Sequence, residues 1–277
     1  MSAPALELRD LSVRFPSEPG RPSSVVTAAD RVGLAVEEAS FTALVGESGS
    51  GKSVTALAIC RLLQGGFISG EAWYRDAAGR RADLLKMDEE GLLSIRGKEI
   101  SYVFQDPASF LNPVMRVGEQ IIESCLAHFR EGRIQAKTKA LEILKSLRIS
   151  DAERVYRSFP HELSGGLCQR AMLAAALIAE PRVLIADEPT TALDAPAERE
   201  TMELLTGIQK KRGLMLIFIT HDLSLAERYS DSIYVMDKGR VIERLEKKNG
   251  FSATHPYSRR LFNASLAGAI PKTLIEV

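Results

Sequence analysis

The most informative segment of this chain is Gly46-Glu47-Ser48-Gly49-Ser50-Gly51-Lys52-Ser53. It matches the pattern G-x-x-x-x-G-K-[ST], in which glycines let backbone N–H groups turn inward around a polyphosphate. In that pattern Lys52 supplies a positive charge to the outer phosphates, and the Ser53 hydroxyl is a ligand for Mg²⁺. The segment therefore predicts a phosphate-binding loop.

The sequence on either side of this loop indicates the order strand, loop, helix. Phe41–Val45 is a short apolar run typical of a buried strand, and residues 54–63 have a helical pattern. A helix that begins at the loop adds the positive partial charge of its N-terminus to the site. An ordinary glycine- and serine-rich turn would not need Lys-Ser at this point, so phosphate binding is the preferred interpretation.

Composition excludes several classes of protein. Lysine plus arginine equals aspartate plus glutamate, at 36 each, and a neutral balance gives no electrostatic reason to expect a nucleic-acid partner. The three cysteines are scattered without a C-x-x-C pair, which favours a reducing compartment over a disulfide or zinc framework. The N-terminus lacks the pattern of a signal peptide, and the longest apolar run, 171–179, is too short to span a bilayer. Any role at a membrane is therefore expected to be peripheral.

Apolar periodicity predicts an α/β chain with a parallel sheet. Residues 6–15 alternate like a half-exposed strand, and residues 25–36 are expected to form a further antiparallel pair. Residues 106–177 change to a helical period and predict an inserted helical subdomain. Strand-like runs alternate with helical ones elsewhere, which is typical of a parallel sheet covered on both faces. The predicted strands are 100–104, 183–186, 214–219 and 232–236, and the predicted helices are 198–211 and 223–228.

Two adjacent carboxylates follow the apolar run that ends at residue 186. Neighbouring strand residues point to opposite sides, so Asp187 and Glu188 are expected to have different roles. Asp187 would hold Mg²⁺ together with Ser53, and Glu188 would polarise a water for in-line attack on the γ-phosphate. Acidic pairs after strands are often helix caps, but the complete phosphate loop favours the catalytic interpretation.

A second glycine-containing segment is Leu163-Ser164-Gly165-Gly166-Leu167-Cys168-Gln169-Arg170. It resembles the signature of the ATP-binding cassette (ABC) family. A hydroxyl and two glycines at a helix N-terminus form a second phosphate site, contributed by Ser164, Gly165 and Gly166. A serine N-cap without a ligand is the alternative for this segment taken alone.

The resemblance extends from about residue 6 to 241 and implies further site residues. They are Gln105 as the Q-loop glutamine that senses Mg²⁺ and the γ-phosphate, Asp194 as the D-loop aspartate, His221 as the switch histidine, and Phe15 as the aromatic that stacks on adenine. Taken alone, a single histidine or a strand phenylalanine is more often a packing residue. The order of the motifs is what gives these positions their implied roles.

The implied fold is a phosphate-loop NTPase domain of the ABC type, with an N-terminal antiparallel β-region and the inserted helical subdomain. The ATPase domain is expected at 1–245, followed by a short C-terminal extension at 246–277. The family implies ATP and Mg²⁺ as ligands, and a head-to-tail pair with a second homologous ATPase subunit. Two different chains are the usual pairing, although a homodimer stays open. The pair would bind two integral-membrane permease subunits at the cytoplasmic face of the inner membrane and act indirectly with a solute-binding protein.

Residues 104–113 and 255–261 resemble the ATPase subunits of dipeptide, oligopeptide and nickel importers. The sequence departs from that group at Phe110, where a small residue is usual, and it lacks the cysteine-rich tail that holds an iron–sulfur site in many of them. We therefore expect no iron–sulfur cluster. The same departure favours nickel or a metal–ligand complex as the transported solute, while peptides remain an alternative. The alternatives are a soluble ABC ATPase not coupled to transport, an exporter ATPase, and a regulatory cassette without activity.

Overall fold

The computed structural model of this protein describes residues 4–18, 21–191 and 193–266. The chain divides into two compact units, one formed by residues 1–87 and 217–277 and the other by residues 88–216. Within the described ranges, the helices are all too short or too polar to cross a membrane.

The first unit begins with an antiparallel sheet in the order β2-β1-β4-β5. Its strands are β1 (Leu6–Glu18), β2 (Arg21–Val36), β4 (Phe67–Arg75) and β5 (Arg81–Asp83). The predicted β-region is thus confirmed, but the expected strand pair within 25–36 is wrong, because one long strand pairs along β1. Register shifts along that pair break the simple alternation, and Arg31 has a φ of 49°.

The same unit contains a second set of strands around the phosphate loop. Its elements are β3 (Phe41–Val45), α1 (Lys52–Ile59), β8 (Met215–Thr220), α9 (Leu223–Tyr229), β9 (Ser232–Asp237), β10 (Arg240–Glu246) and α10 (Pro256–Leu266). The division between the units falls within β8. β3 and β9 are parallel, and β10 adds an antiparallel edge that the sequence analysis did not predict. All five residues of β3 are buried, as expected for a strand covered on both faces.

The second unit combines a parallel strand pair with helices. Its elements are α2 (Glu89–Ile95), β6 (Ile100–Val103), α3 (Pro107–Phe110), α4 (Val117–His128), α5 (Arg133–Ser146), α6 (Ala152–Arg157), α7 (Gly165–Leu177), β7 (Val183–Asp187) and α8 (Ala195–Arg212). β6 and β7 pair in parallel, which places their carboxyl ends at the same edge. The α/β fold class is confirmed, and the strands predicted at 100–104 and 183–186 are present.

The free cysteines Cys60, Cys125 and Cys168 are all buried. Burial raises the pKa of the Cys125 and Cys168 thiols. A buried thiol that stays protonated behaves as a small apolar residue. These cysteines therefore serve as packing residues of the two units.

Candidate active site

The phosphate loop joins β3 to α1 in a conformation that needs glycine at two close approaches. Gly51 has a φ of 99°, and a Cβ there would lie 2.3 Å from the carbonyl oxygen of Ala28. A Cβ at Gly46 would lie 2.3 Å from the carbonyl oxygen of Met236. A side chain at either position would displace the loop from the neighbouring strands. Close packing against neighbouring backbone thus explains the glycines at positions 46 and 51.

Lys52 lies inside this loop and its ammonium contacts loop oxygens. Nζ donates hydrogen bonds to the carbonyl oxygens of Gly46 and Glu47, both at 2.9 Å, and the residue is 5% exposed. The buried cation is therefore held at the inner side of the loop, where an anion would be attracted to it. Ser53 follows as a half-buried hydroxyl in the first turn of α1.

The other predicted residues of the loop have distinct environments. Ser50 is buried, and its carbonyl oxygen accepts a hydrogen bond from the backbone N–H of Gly239 at 2.9 Å. Glu47, Ser48 and Gly49 are exposed. A Cβ at Gly49, where φ is 78°, would meet no neighbour within 4 Å. The loop thus has one side anchored to the unit and another open to solvent.

Tyr257 of α10 lies beside this loop, a feature that the sequence analysis missed. Its hydroxyl oxygen is buried. Burial raises the pKa of Tyr257 to about 12, and the negative charge of Glu47 acts in the same direction. The sequence singles out residues 255–261 only by their resemblance to importer ATPases, and no spacing rule links them to a loop about 200 residues earlier.

Two more predicted residues belong to the first unit. Phe15, near the end of β1, packs its ring over Gly66, where a Cβ would lie only 2.9 Å from Cε1 of the ring. Phe15 is half-buried and pairs with Val26 in the strand register. His221 follows β8 directly and is exposed. The two positions fit an accessible aromatic ring and an accessible imidazole, while their roles towards a nucleotide stay predictions.

The two carboxylates of the second unit have different surroundings, as expected from strand geometry. Asp187 ends β7, is 5% exposed, and accepts a hydrogen bond from the Tyr102 hydroxyl at 2.8 Å. Glu188 is half-buried and has a φ of 44°, a conformation that residues other than glycine seldom adopt. The chain therefore turns sharply between the two acids. Strained backbone of this kind is common at active sites.

Glu188 is held by two side chains at one oxygen. Its Oε2 accepts hydrogen bonds from Nε2 of Gln105 at 3.0 Å and from Oγ1 of Thr191 at 2.9 Å. The structure thus brings Gln105 and Glu188 together, although 82 residues separate them in the sequence. Thr191 was missed by the sequence analysis, and only its position three residues after Glu188 would have hinted at the contact.

Ser164, Gly165 and Gly166 lie at the N-terminus of α7. The Ser164 hydroxyl accepts a hydrogen bond from the backbone N–H of Leu167 at 3.4 Å, so the alternative capping role is realised. A Cβ at either glycine would meet nothing within 4 Å, which means that open space lies in front of the helix end. Capping and ligand binding are therefore compatible here. Asp194 similarly caps α8, accepting a hydrogen bond from the backbone N–H of Ala197 at 2.9 Å.

The donor atoms present fit the predicted ligands. Lys52 and the N-termini of α1 and α7 are suited to polyphosphate oxygens. Mg²⁺ keeps several waters and takes one or two protein oxygens besides phosphate, so the Ser53 hydroxyl and the Asp187 carboxylate are suitable ligands. Among the described residues, no group of three or more His, Cys, Asp or Glu is arranged to hold a metal ion by itself.

The fold and the loop define the class of protein as a phosphate-loop nucleotide-binding domain, and the comparisons define the family. The family described as ABC transporter matches residues 29–191. The chain is 41% identical over 94% of its length to the "Probable peptide ABC transporter ATP-binding protein y4tR" of Sinorhizobium fredii, covering 76% of that protein. It is 40% identical to the "Oligopeptide transport ATP-binding protein OppD" of Bacillus subtilis, over 91% of this chain and 69% of that one. This chain belongs to the ABC transporter family.

The fold agrees with a solved dimer of the same family. The ATP-binding cassette MJ0796, in a post-hydrolysis state bound to ADP and Pi, superposes with a TM-score of 0.75. The alignment covers 87% of this chain and 98% of that cassette, at 27% identity. The chain is thus an ABC ATPase, and the predicted fold and class of enzyme are confirmed.

Proposed function

We propose that this chain is the ATP-hydrolysing subunit of an importer for peptide-like solutes. The observation that carries the hydrolytic part is the placement of Glu188 at the end of β7, hydrogen-bonded to Gln105 and directly after the buried Asp187. The import part is supported by relatives that are named for peptide import and for glutathione import. Other relatives are named for peptide and oligopeptide transport. Because those names favour peptides, peptide-like cargo is preferred to nickel.

The chemistry follows from the residues in the two units. The loop amides and Lys52 bind the β- and γ-phosphates, and the Phe15 ring offers a face for the base. Glu188 accepts a proton from the attacking water, a role that contributes about 10²- to 10⁴-fold in rate. Ser53 and Asp187 would each offer an oxygen ligand to Mg²⁺, and the ion would supply positive charge against the phosphates. Gln105 and His221 would both respond to the presence of the γ-phosphate. Gln105 precedes Glu188 in the sequence, and His221 follows it.

The site is completed by a second cassette in this proposal. Gly165 and Gly166 face open space at the end of α7, which supports their meeting an ATP held by the loop of a partner subunit. Asp194 lies in the segment that follows Glu188 and would act at the same interface. The partner is a homologous ATPase chain or a second copy of this one. The pair would attach to a membrane permease at the cytoplasmic face, because relatives of this chain are named as import ATP-binding proteins.

Uptake by intact cells tests this proposal. A strain that lacks the gene would be complemented with the parental chain or with Glu188→Gln, and uptake of labelled dipeptides, oligopeptides, glutathione and Ni²⁺ would be compared. Uptake of a peptide that returns only with the parental chain supports the proposal. Restoration of Ni²⁺ uptake alone would change the substrate class, and a restored efflux without uptake would establish an exporter.

A further inference from the structure

The hydroxyl of Tyr102, on β6, reaches the carboxylate of Asp187 at the end of β7. β6 pairs with β7 in parallel, with Tyr102 opposite Ile185. Side chains two residues apart share a face of a strand, so Tyr102, Ile185 and Asp187 point to the same side. The 2.8 Å hydrogen bond from Tyr102 to Oδ2 of Asp187 follows from this register.

The Tyr102 ring is the first of three aromatic rings in contact. Its centroid lies 4.6 Å from that of Phe104, at an interplanar angle of 43°. Phe104 in turn stacks on Phe110, with centroids 3.9 Å apart and planes 18° from parallel. We call Tyr102, Phe104 and Phe110 the aromatic stack. Aromatic contacts of this kind stabilise the arrangement of the rings beyond the effect of the area they bury.

The exposure of the side chains in the aromatic stack increases from Tyr102 to Phe110. Tyr102 and Phe104 are half-buried, whereas Phe110, at the end of α3, is 52% exposed. α3 places Phe110 over Phe104 through a turn closed by the hydrogen bond from its backbone N–H to the carbonyl oxygen of Asp106 at 3.2 Å. A bulky residue at position 110 therefore has a specific contact that a small residue could not make.

We propose that Tyr102 is a positioning residue for Asp187 and that the aromatic stack fixes the ring that makes this hydrogen bond. The inference rests on the proposed role of Asp187 as a ligand of the divalent metal. A hydrogen bond to one carboxylate oxygen fixes the rotation of the carboxyl group, and it is strengthened by the charge of the acceptor. Tyr102 thereby orients Asp187 before the metal and nucleotide bind.

The test measures binding, separately from hydrolysis, in the full chain. Calorimetry would give the affinity for the non-hydrolysable analogue AMP-PNP with EDTA and again with Mn²⁺, and the ratio of the two is the metal-dependent gain. Removing a group that orients a metal ligand typically lowers metal affinity about 10- to 100-fold. We expect Tyr102→Phe to reduce the gain by about this factor while the affinity in EDTA stays at the parental value.

Two controls make the result specific. Tyr234→Phe also removes a tyrosine hydroxyl that is hydrogen-bonded, to the carbonyl oxygen of Ala35 at 3.0 Å, and it should leave the gain unchanged. Asp187→Asn should abolish the gain. If Asp187→Asn keeps the gain, the proposed metal role of Asp187 is wrong. The inference about Tyr102 depends on that role and is then also wrong. If Asp187→Asn loses the gain and Tyr102→Phe keeps it, only the inference is overturned.

The stack is tested by a double-mutant cycle. Phe110→Leu should reduce the gain in the same direction as Tyr102→Phe but by a smaller factor. The double variant should be no worse than Tyr102→Phe alone, because both changes act through the same hydroxyl. Additive effects would show that Phe110 acts independently, which would overturn the role of the stack. A Tyr102→Phe chain that also loses affinity in EDTA would make Tyr102 a general packing residue and would equally overturn the proposal.

Discussion

Gln105 and Glu188 are joined by a hydrogen bond of 3.0 Å from Nε2 of the amide to Oε2 of the carboxylate. Each follows one strand of the parallel pair β6 and β7, so the pairing brings both to the same edge. In this arrangement the amide of Gln105 orients the carboxylate of the proposed base. A contact that shifts the side chain of Gln105 would therefore also shift the carboxylate of Glu188, the proposed base.

Glu188→Gln should retain ATP binding and lower turnover by about 10²- to 10⁴-fold, the usual contribution of a positioned base. The amide keeps the size of the side chain but cannot accept a proton. Steady-state hydrolysis and calorimetric ATP binding would be measured on the same preparation, with Glu203→Gln on the exposed face of α8 as the control. Parental turnover in Glu188→Gln would show that another group is the base.

Thr191→Val should lower kcat by about tenfold and leave the KM for ATP unchanged. The hydroxyl donates to Oε2 of Glu188 at 2.9 Å, and hydrogen bonds to charged groups are worth about 1.5–3 kcal/mol. Because Gln105 still holds the same oxygen, we expect the lower end of that range. Thr191→Ser should restore kcat, whereas equal losses in both variants would mean that the methyl group matters and the hydrogen bond does not.

Lys52→Ala should weaken nucleotide binding and abolish hydrolysis. The ammonium is buried at the inner side of the loop, and alanine leaves the phosphates without that charge. Lys86→Ala, which removes an exposed ammonium of the same unit, is the matched control and should bind ATP normally. Calorimetry gives the comparison, and equal ATP affinity in Lys52→Ala and the parental chain would contradict the assigned phosphate site.

The sequence predicted elements and motifs well where burial is complete. β3 is entirely buried, so its continuous apolar run was recognised with correct bounds. β4 and β10 were not predicted, because both are largely half-exposed or exposed and carry charged residues within the strand. Glu188 was proposed from its local pattern and Gln105 from the family resemblance, but the hydrogen bond between them depends on strand pairing, which no local pattern specifies.

Glu243 provides a test based on pH. Its Oε1 accepts hydrogen bonds from the backbone N–H of Thr254 at 2.7 Å and of His255 at 3.1 Å, just before α10. Burial raises the pKa of Glu243, but the nearby Ser258 hydroxyl and these hydrogen bonds outweigh burial and hold the pKa at about 2. Because the folded value lies below the ordinary value of 4.5, the stabilisation is complete above about pH 4.5 and is lost as the pH falls towards 2.

Glu243→Gln should therefore lower the free energy of unfolding at pH 7, and its difference from the parental chain should shrink by pH 3.5. Gln cannot ionise, so its own hydrogen bonds do not change over this range. Urea unfolding at pH 7, 5 and 3.5 gives the comparison, with Glu37→Gln at an exposed site as the control. A difference that is constant with pH would rule out the ionised carboxylate as the stabilising form.

The segment after Gln105 carries four apolar residues, at Phe110, Leu111, Val114 and Met115. Leu111 is 3% exposed because it packs in the interior of its unit, and Met115 is half-buried. Phe110 and Val114 are exposed, at 52% and 80%. Exposed apolar side chains in a short helix and the loop after it are suited to a partner contact. Since Phe110 also belongs to the aromatic stack, Val114 is the better residue for testing a permease contact.

Val114→Asp should leave folding and ATP affinity unchanged while it weakens co-purification with the permease and lowers solute uptake. A charge at the centre of an apolar contact would be desolvated without a partner, which is costly, whereas in the unbound chain the same carboxylate stays in water. Ile134→Asp is the matched control, because Ile134 is 84% exposed on α5 of the same unit but lies outside this segment. Thermal unfolding, ATP binding, co-purification and uptake would be measured for both variants. Normal assembly and uptake with Val114→Asp would show that the permease binds elsewhere, and equal losses in both variants would indicate a general effect of surface charge.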